Sequence, residues 1–203
     1  MSAPYEPGEL MTRTGRRIRP MDLLVQDVVI EDIAGPLAKI CRFGGQLPVF
    51  YSVAQHCVLV AELIRQIPGL EWYVFPALLH DAAEAYFGDM ISPLKRLPGM
   101  LAYRNGEDRA LRTICQAFGI SDPDSYYDDG VVDTADRLAY FIELRDIRRA
   151  DVMPPGVVPP EDLALRFASS RIDRAWGPEE AEDAFLLAFR QYGRAHAAAM
   201  DGR

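Results

Sequence analysis

Between Ser52 and Gly88 the chain carries two long apolar stretches, VAQHCVLVAELIRQI and WYVFPALLHDAAEAYFG, broken only around Pro68 and Gly69. This pair constrains the fold more than any other feature. In the first stretch Val53, Cys57, Val60, Ala61 and Ile64 recur at three- and four-residue spacing, the period of a helix with one buried face. Ser52 has the right chemistry to cap it. The second stretch is apolar on most faces, which predicts a core helix over 72–88 ending at Gly88.

The remaining segments follow the same period. Residues 22–41 predict one or two short helices, with Pro36 acceptable only in the first turn of the second. RFGGQLP reads as a loop, 101–118 as an amphipathic helix closed by Gly119, and SDPDSYYDDG as a loop. Residues 131–149 predict a long helix, and 161–176 and 178–199 two final ones. Residues 1–20 read as an irregular arm or short hairpin, and MPPGVVPP as a Pro-rich connection. Strand-like alternation is scarce. The expectation is an all-α, compact single-domain helical bundle over 1–203, with the chemistry-bearing core at about 30–150.

Charge and cysteines exclude several classes. A net charge of −8 repels polyanions, so a nucleic-acid polymer is not the expected partner. No stretch reaches the roughly 18 apolar residues of a membrane span, and the N-terminus has no apolar signal region, which predicts a cytoplasmic chain. Cys41, Cys57 and Cys115 are scattered and odd in number, so reduced thiols are expected rather than a disulfide framework.

Only three histidines occur. His80, Asp81 and Glu84 lie at roughly 0°, 100° and 40° around a helix, on one arc of an otherwise apolar segment. Three ionisable groups there are costly to bury without partners, and a metal ion would satisfy them together. The bland alternatives are real. A His-Asp pair is common, and a buried His can simply be hydrogen-bonded. Asp136, early in the 131–149 segment, could merely complement a helix dipole. Cys57, next to His56, is not read as a ligand, because helix neighbours point about 100° apart. His196, in a run of alanines, reads as a surface or packing residue.

Taken together, His56, His80-Asp81 and Asp136 resemble the H…HD…D pattern of the HD-domain superfamily of metal-dependent phosphohydrolases. YSVAQHCVLVAELI is similar to that family's first metal-binding helix and TADRLAYFIE to its Asp-bearing helix. HDAAEAYFGDMISPLK resembles the HDxxE…GD…P-x-K segment of its small bacterial 5′-deoxynucleotidase branch, and RFGG resembles that branch's phosphate-binding Arg followed by an aromatic. The resemblance covers roughly residues 30–150.

It implies that His56, His80, Asp81 and Asp136 hold one divalent ion (Mn, Co, Zn, Ni, Fe or Mg), a mixed N/O set that does not discriminate among them. It implies Glu84 as the general acid/base or water-positioning group, Arg42 as the phosphate-binding group and Asp89 as a catalytic or sugar-contacting group. Lys95 matches a family position and would bind substrate. Without the resemblance, Arg42 would read as a surface Arg beside a Gly-Gly turn, Asp89 as a turn cap and Lys95-Arg96 as a solvated pair. The implied activity is removal of phosphate from nucleoside 5′-monophosphates, deoxynucleotides in the sense of the branch it resembles, by a homodimer. Two alternatives stay open: a dNTP triphosphohydrolase, which would need further cations such as Lys95, Arg96, Arg104 and Arg109, and a non-catalytic nucleotide- or metal-binding module. A two-metal phosphodiesterase is disfavoured by the shortage of histidines.

Overall fold

The computed structural model describes residues 6–148 and 168–201. A small antiparallel hairpin comes first, pairing β1 (Leu10–Met11) with β2 (Arg17–Ile18). Its tip is pinned by the buried Asp32, whose carboxylate accepts from Thr14 N at 2.7 Å and Thr14 Oγ1 at 2.6 Å.

Asp32 lies on α1 (Glu31–Leu37). Pro36 sits near the end of this single helix and not in the first turn of a second one. The helix is short enough that the missing N–H forfeits one intrahelical bond near its end, and Ala38 still bonds back to Ala34.

The central element is α2 (Val53–Arg65), which packs on α3 (Val74–Leu79), α8 (Val131–Asp146) and α9 (Pro178–Asp201). Ser52 caps it as expected, its hydroxyl accepting from Gln55 N at 3.2 Å. Val53, Cys57, Val60, Ala61 and Ile64 are all fully buried. Because α2 meets helices on several sides, truncating one of its larger apolar side chains to Ala should cost about 2–5 kcal/mol.

The expected helix over 72–88 is not continuous. It divides into α3 and α4 (Glu84–Phe87), joined by a tight turn at His80–Ala83. The cause is local. His80 Nδ1 takes the Ala77 carbonyl at 2.7 Å, the acceptor a continuing helix would offer to Asp81 N–H. The chain then tightens into bonds of three-residue span, Ala82 N to Leu79 O and Glu84 N to Asp81 O.

Short α5 (Ser92–Lys95) leads to α6 (Leu101–Ala117), closed by Gly119 at φ +83°. The expected loop at 121–130 contains one helical turn, α7 (Asp124–Tyr127). The long α8 ends at Asp146, and the last helix, α9, runs as predicted.

The prediction for 161–176 needs correction where it can be seen. Residues 168–169 are helical, but 170–177 are not. Their backbone groups are claimed by side chains of other elements: Gln55 bonds Arg174 O and Trp176 N, and Asp146 accepts from Ile172 N. The Pro-rich connection and 161–167 lie outside the described residues. His196 is a packing residue, buried against Phe75 and Tyr126. The result is an all-α bundle, and no helix among the described residues is long and apolar enough to cross a membrane.

Candidate metal centre

Three elements bring the four predicted ligands to one place. α2 supplies His56, the α3–α4 turn supplies His80 and Asp81, and the second turn of α8 supplies Asp136. His56 Nε2 lies 3.2 Å from His80 Nε2, 3.0 Å from Asp136 Oδ1 and 3.6 Å from Asp81 Oδ2. Asp81 Oδ2 is 3.3 Å from His80 Nε2. The turn at His80–Ala83 matters here, since on a regular helix His80 and Asp81 would diverge by about 100°.

Both imidazoles are fixed from behind. His56 Nδ1 lies 2.6 Å from Glu143 Oε1, and His80 Nδ1 lies 2.7 Å from the Ala77 carbonyl. A carbonyl can only accept, and Arg42 and His56 hold the Glu143 carboxyl below its usual range against the pull of burial, so it too accepts. Each Nδ1 therefore donates, and each Nε2 is directed at the other and at the carboxylates. Burial and Arg42 push the His56 pKa down, but Glu143 and Asp136 outweigh them and hold it up to about 9. The centre thus retains a proton that a bound cation would displace.

Glu143 was not found from the sequence. It is wholly buried, and besides His56 it accepts from Arg42 Nε at 3.2 Å and pairs with Arg42 Nη2 at 3.1 Å. Its signal was available: it stands seven residues after Asp136, about two turns along the same helical face.

Arg42 is largely buried, its side chain 13% exposed, and is not the surface Arg its Gly-Gly neighbours suggested. Its backbone N–H bonds Tyr51 O, and its guanidinium carbon lies 5.4 Å from the Phe43 ring centroid. Phe43 adopts φ +58°, a left-handed conformation that an aromatic residue rarely takes. Its ring stacks on Tyr140 at 5.8 Å. Arg42 Nη1 faces Asp81 Oδ2 at 3.6 Å, beyond hydrogen-bond range.

Glu84 is buried beside the centre, and its Oε2 has no hydrogen-bond partner. Burial, with the charges of Asp81 and Asp89, pushes its carboxyl up to about 10. Asp89 is half-buried just beyond Gly88, and burial raises its carboxyl too. Lys95 is paired with Glu107 at 2.5 Å. Burial opposes its charge, but Glu107 prevails and raises its pKa.

Helical spacing argues against Cys57 as a ligand beside His56, but Cys57, His80 and Asp81 each offer a donor atom, all within 4.8 Å of one another. The tight turn brings Asp81 round to the side of α2 that Cys57 occupies. Burial and the charges of Asp81 and Glu84 push the thiol well above its usual range.

The donor chemistry fits a cation. Ligand bonds of about 2.1 Å place neighbouring donors roughly 3.0–3.4 Å apart, close to the separations found here. Two nitrogen lone pairs and two carboxylates facing one point require positive charge between them, from protons or from a metal. His56, His80 and Asp136 alone already form a group that could hold a metal ion.

No family model matches the chain. It is 46% identical over 94 residues to YfdR, an uncharacterized protein of Escherichia coli K12, in a match covering 46% of this chain and 49% of that protein. It is 42% identical over 111 residues to an uncharacterized protein of Rhodobacter capsulatus, covering 53% of this chain and 56% of the relative. The chain thus spans about half the length of the curated relatives it matches.

Proposed function

We propose that this chain is a metal-dependent phosphohydrolase of the HD type, acting on nucleoside 5′-monophosphates and preferentially on deoxynucleotides. The observation that carries the reading is the convergence of His56, His80, Asp81 and Asp136, with both imidazoles fixed by acceptors behind them. A divalent ion held there would supply a nucleophilic water and polarise a phosphoryl oxygen.

The other roles follow from the protein's own groups. Arg42 spends Nε and Nη2 on Glu143, leaving the Nη1 hydrogens for a phosphoryl oxygen. Glu84 keeps its proton at neutral pH in the cation-free protein. A nearby cation would draw that pKa down, so the group can pass between proton donor, toward the departing 5′ oxygen, and acceptor. Asp89 faces the same charges and can contact the sugar. A homodimer belongs to the same reading, and sedimentation velocity measures it.

Three of the four cations named for a triphosphate, all but Arg96, are already engaged. Lys95 is bound to Glu107, Arg104 to the carbonyls of Lys95 and Leu97, and Arg109 to that of Met21. This favours a monophosphate over a dNTP.

The test is phosphate release from mono-, di- and triphosphates with each candidate metal. Orthophosphate from a monophosphate supports the reading, and tripolyphosphate from a dNTP replaces it with the triphosphohydrolase. Tight metal binding with no turnover points to a binding module. Asp81→Ala should abolish metal binding and activity, whereas Glu84→Ala should keep the metal and lose rate. A fully active Glu84→Ala enzyme refutes the mechanism.

A further inference from the structure

The centre holds two overlapping donor sets that meet at His80. One is His56, His80 and Asp136, all nitrogen and oxygen. The other is Cys57, His80 and Asp81, which adds sulfur. Both come from the same packing. Successive residues on α2 send His56 toward α8 and Cys57 toward the α3–α4 turn, and His80 stands between them. Cys57 is fully buried, so its sulfur meets cations only from within the centre.

The geometry points to a second, sulfur-containing cation site, Cys57–His80–Asp81, that selects soft thiophilic divalent ions and competes with the four-ligand N/O set for His80 and Asp81. Hard and borderline ions are served by imidazole and carboxylate alone, while a soft ion gains most from a thiolate. On binding, the Cys57 S–H bond breaks, its proton leaves to solvent, and the sulfur lone pair forms the bond to the cation. No electron is transferred. Resting on the phosphohydrolase reading, one consequence is that such an ion inhibits turnover, because it takes His80 and Asp81 from the hydrolytic set.

Cadmium is a suitable probe. Titration should be done in a chain carrying Cys41→Ser and Cys115→Ser, so that Cys57 is the sole thiol. A sulfur-to-cadmium charge-transfer band should appear and saturate stoichiometrically. Cys57→Ala and His80→Ala should each remove it, while Asp136→Ala should retain it. Cadmium binding without the band, a band that survives Cys57→Ala, or a band lost in Asp136→Ala would overturn the proposal. If Cys57→Ala does not fold, cadmium NMR of the Cys57-containing chain decides, since thiolate ligation moves the resonance far from the all-N/O region. None of these readouts is phosphate release. A band in a chain that turns over no nucleotide would sink the phosphohydrolase reading alone, and turnover without a band would sink only this one.

Discussion

Glu143 is where the candidate site is most vulnerable. This wholly buried carboxylate holds the Arg42 guanidinium through two nitrogens and the His56 ring through Nδ1. Glu143→Ala leaves a buried cation without its main counter-charge, and breaking such a pair costs about 3–5 kcal/mol. It also strands the His56 N–H, although that group can turn toward any water entering the space. A total near 4 kcal/mol is a large share of a typical domain stability of about 5–15 kcal/mol. Glu143→Gln is gentler. It keeps the shape and an acceptor for His56 but surrenders the charge facing Arg42. Partners behind a ligating imidazole typically set about 10–100-fold in metal affinity, so Gln should weaken metal binding toward the lower end of that range and Ala toward the upper. Urea unfolding in chelator reads the first quantity and calorimetric metal titration the second. A Glu143→Ala protein that loses under about 1 kcal/mol and binds metal like the parent would refute the role assigned to this residue.

Other outcomes follow from single features. The Glu84 carboxyl is raised to about 10 in the fold, so above its ordinary value an unfolded chain releases a proton that the folded one keeps. The cation-free protein should therefore lose stability as pH rises from about 5 toward 10, by at most about 1.4 kcal/mol per pH unit for this group. Glu84→Gln should remove that slope in urea titrations run in chelator, and an unchanged slope would disprove it. Ser52→Ala should cost about 1 kcal/mol through the lost cap of α2, measured by urea unfolding. Gly44→Ala should cost about 1–2 kcal/mol, since Gly44 has φ +60° and an added Cβ would meet Ile91 Cγ2 at 3.2 Å. Thermal unfolding reads this, and a Tm equal to the parent's would argue against it.

Much of the bundle was legible because α2, α6, α8 and α9 carry strong helical periodicity between clear stops. The bend at His80–Ala83 was not, because HDAA contains no Gly or Pro. It arises from a side chain capturing a main-chain carbonyl, an event no composition signals. The non-helical course of 170–177 was hidden for a related reason, since its partners, Gln55 and Asp146, lie far away in sequence. At the site, residue types pointed to His56, His80, Asp81 and Asp136. Glu143 is one of several acids on a charged helix, and only its seven-residue spacing from Asp136 marks it in the sequence. The angle between His56 and Cys57 on α2 says nothing of where the His80–Ala83 turn places Asp81, so the grouping of Cys57 with His80 and Asp81 was not legible.

The Arg42–Glu143–His56 chain joins a loop, α2 and α8, segments separated by up to 101 residues. No early local structure can contain it. It forms only when parts of the chain about a hundred residues apart have docked, so it belongs to a non-local stage of folding, when loop closure has already been met. A cation in the adjoining centre would then act as a clasp on the finished topology. At a hundred times its dissociation constant it would add about 2.7 kcal/mol to the folded state, and as an interaction absent from an earlier transition state it would chiefly slow unfolding. The supply of metal would then set how long each molecule persists.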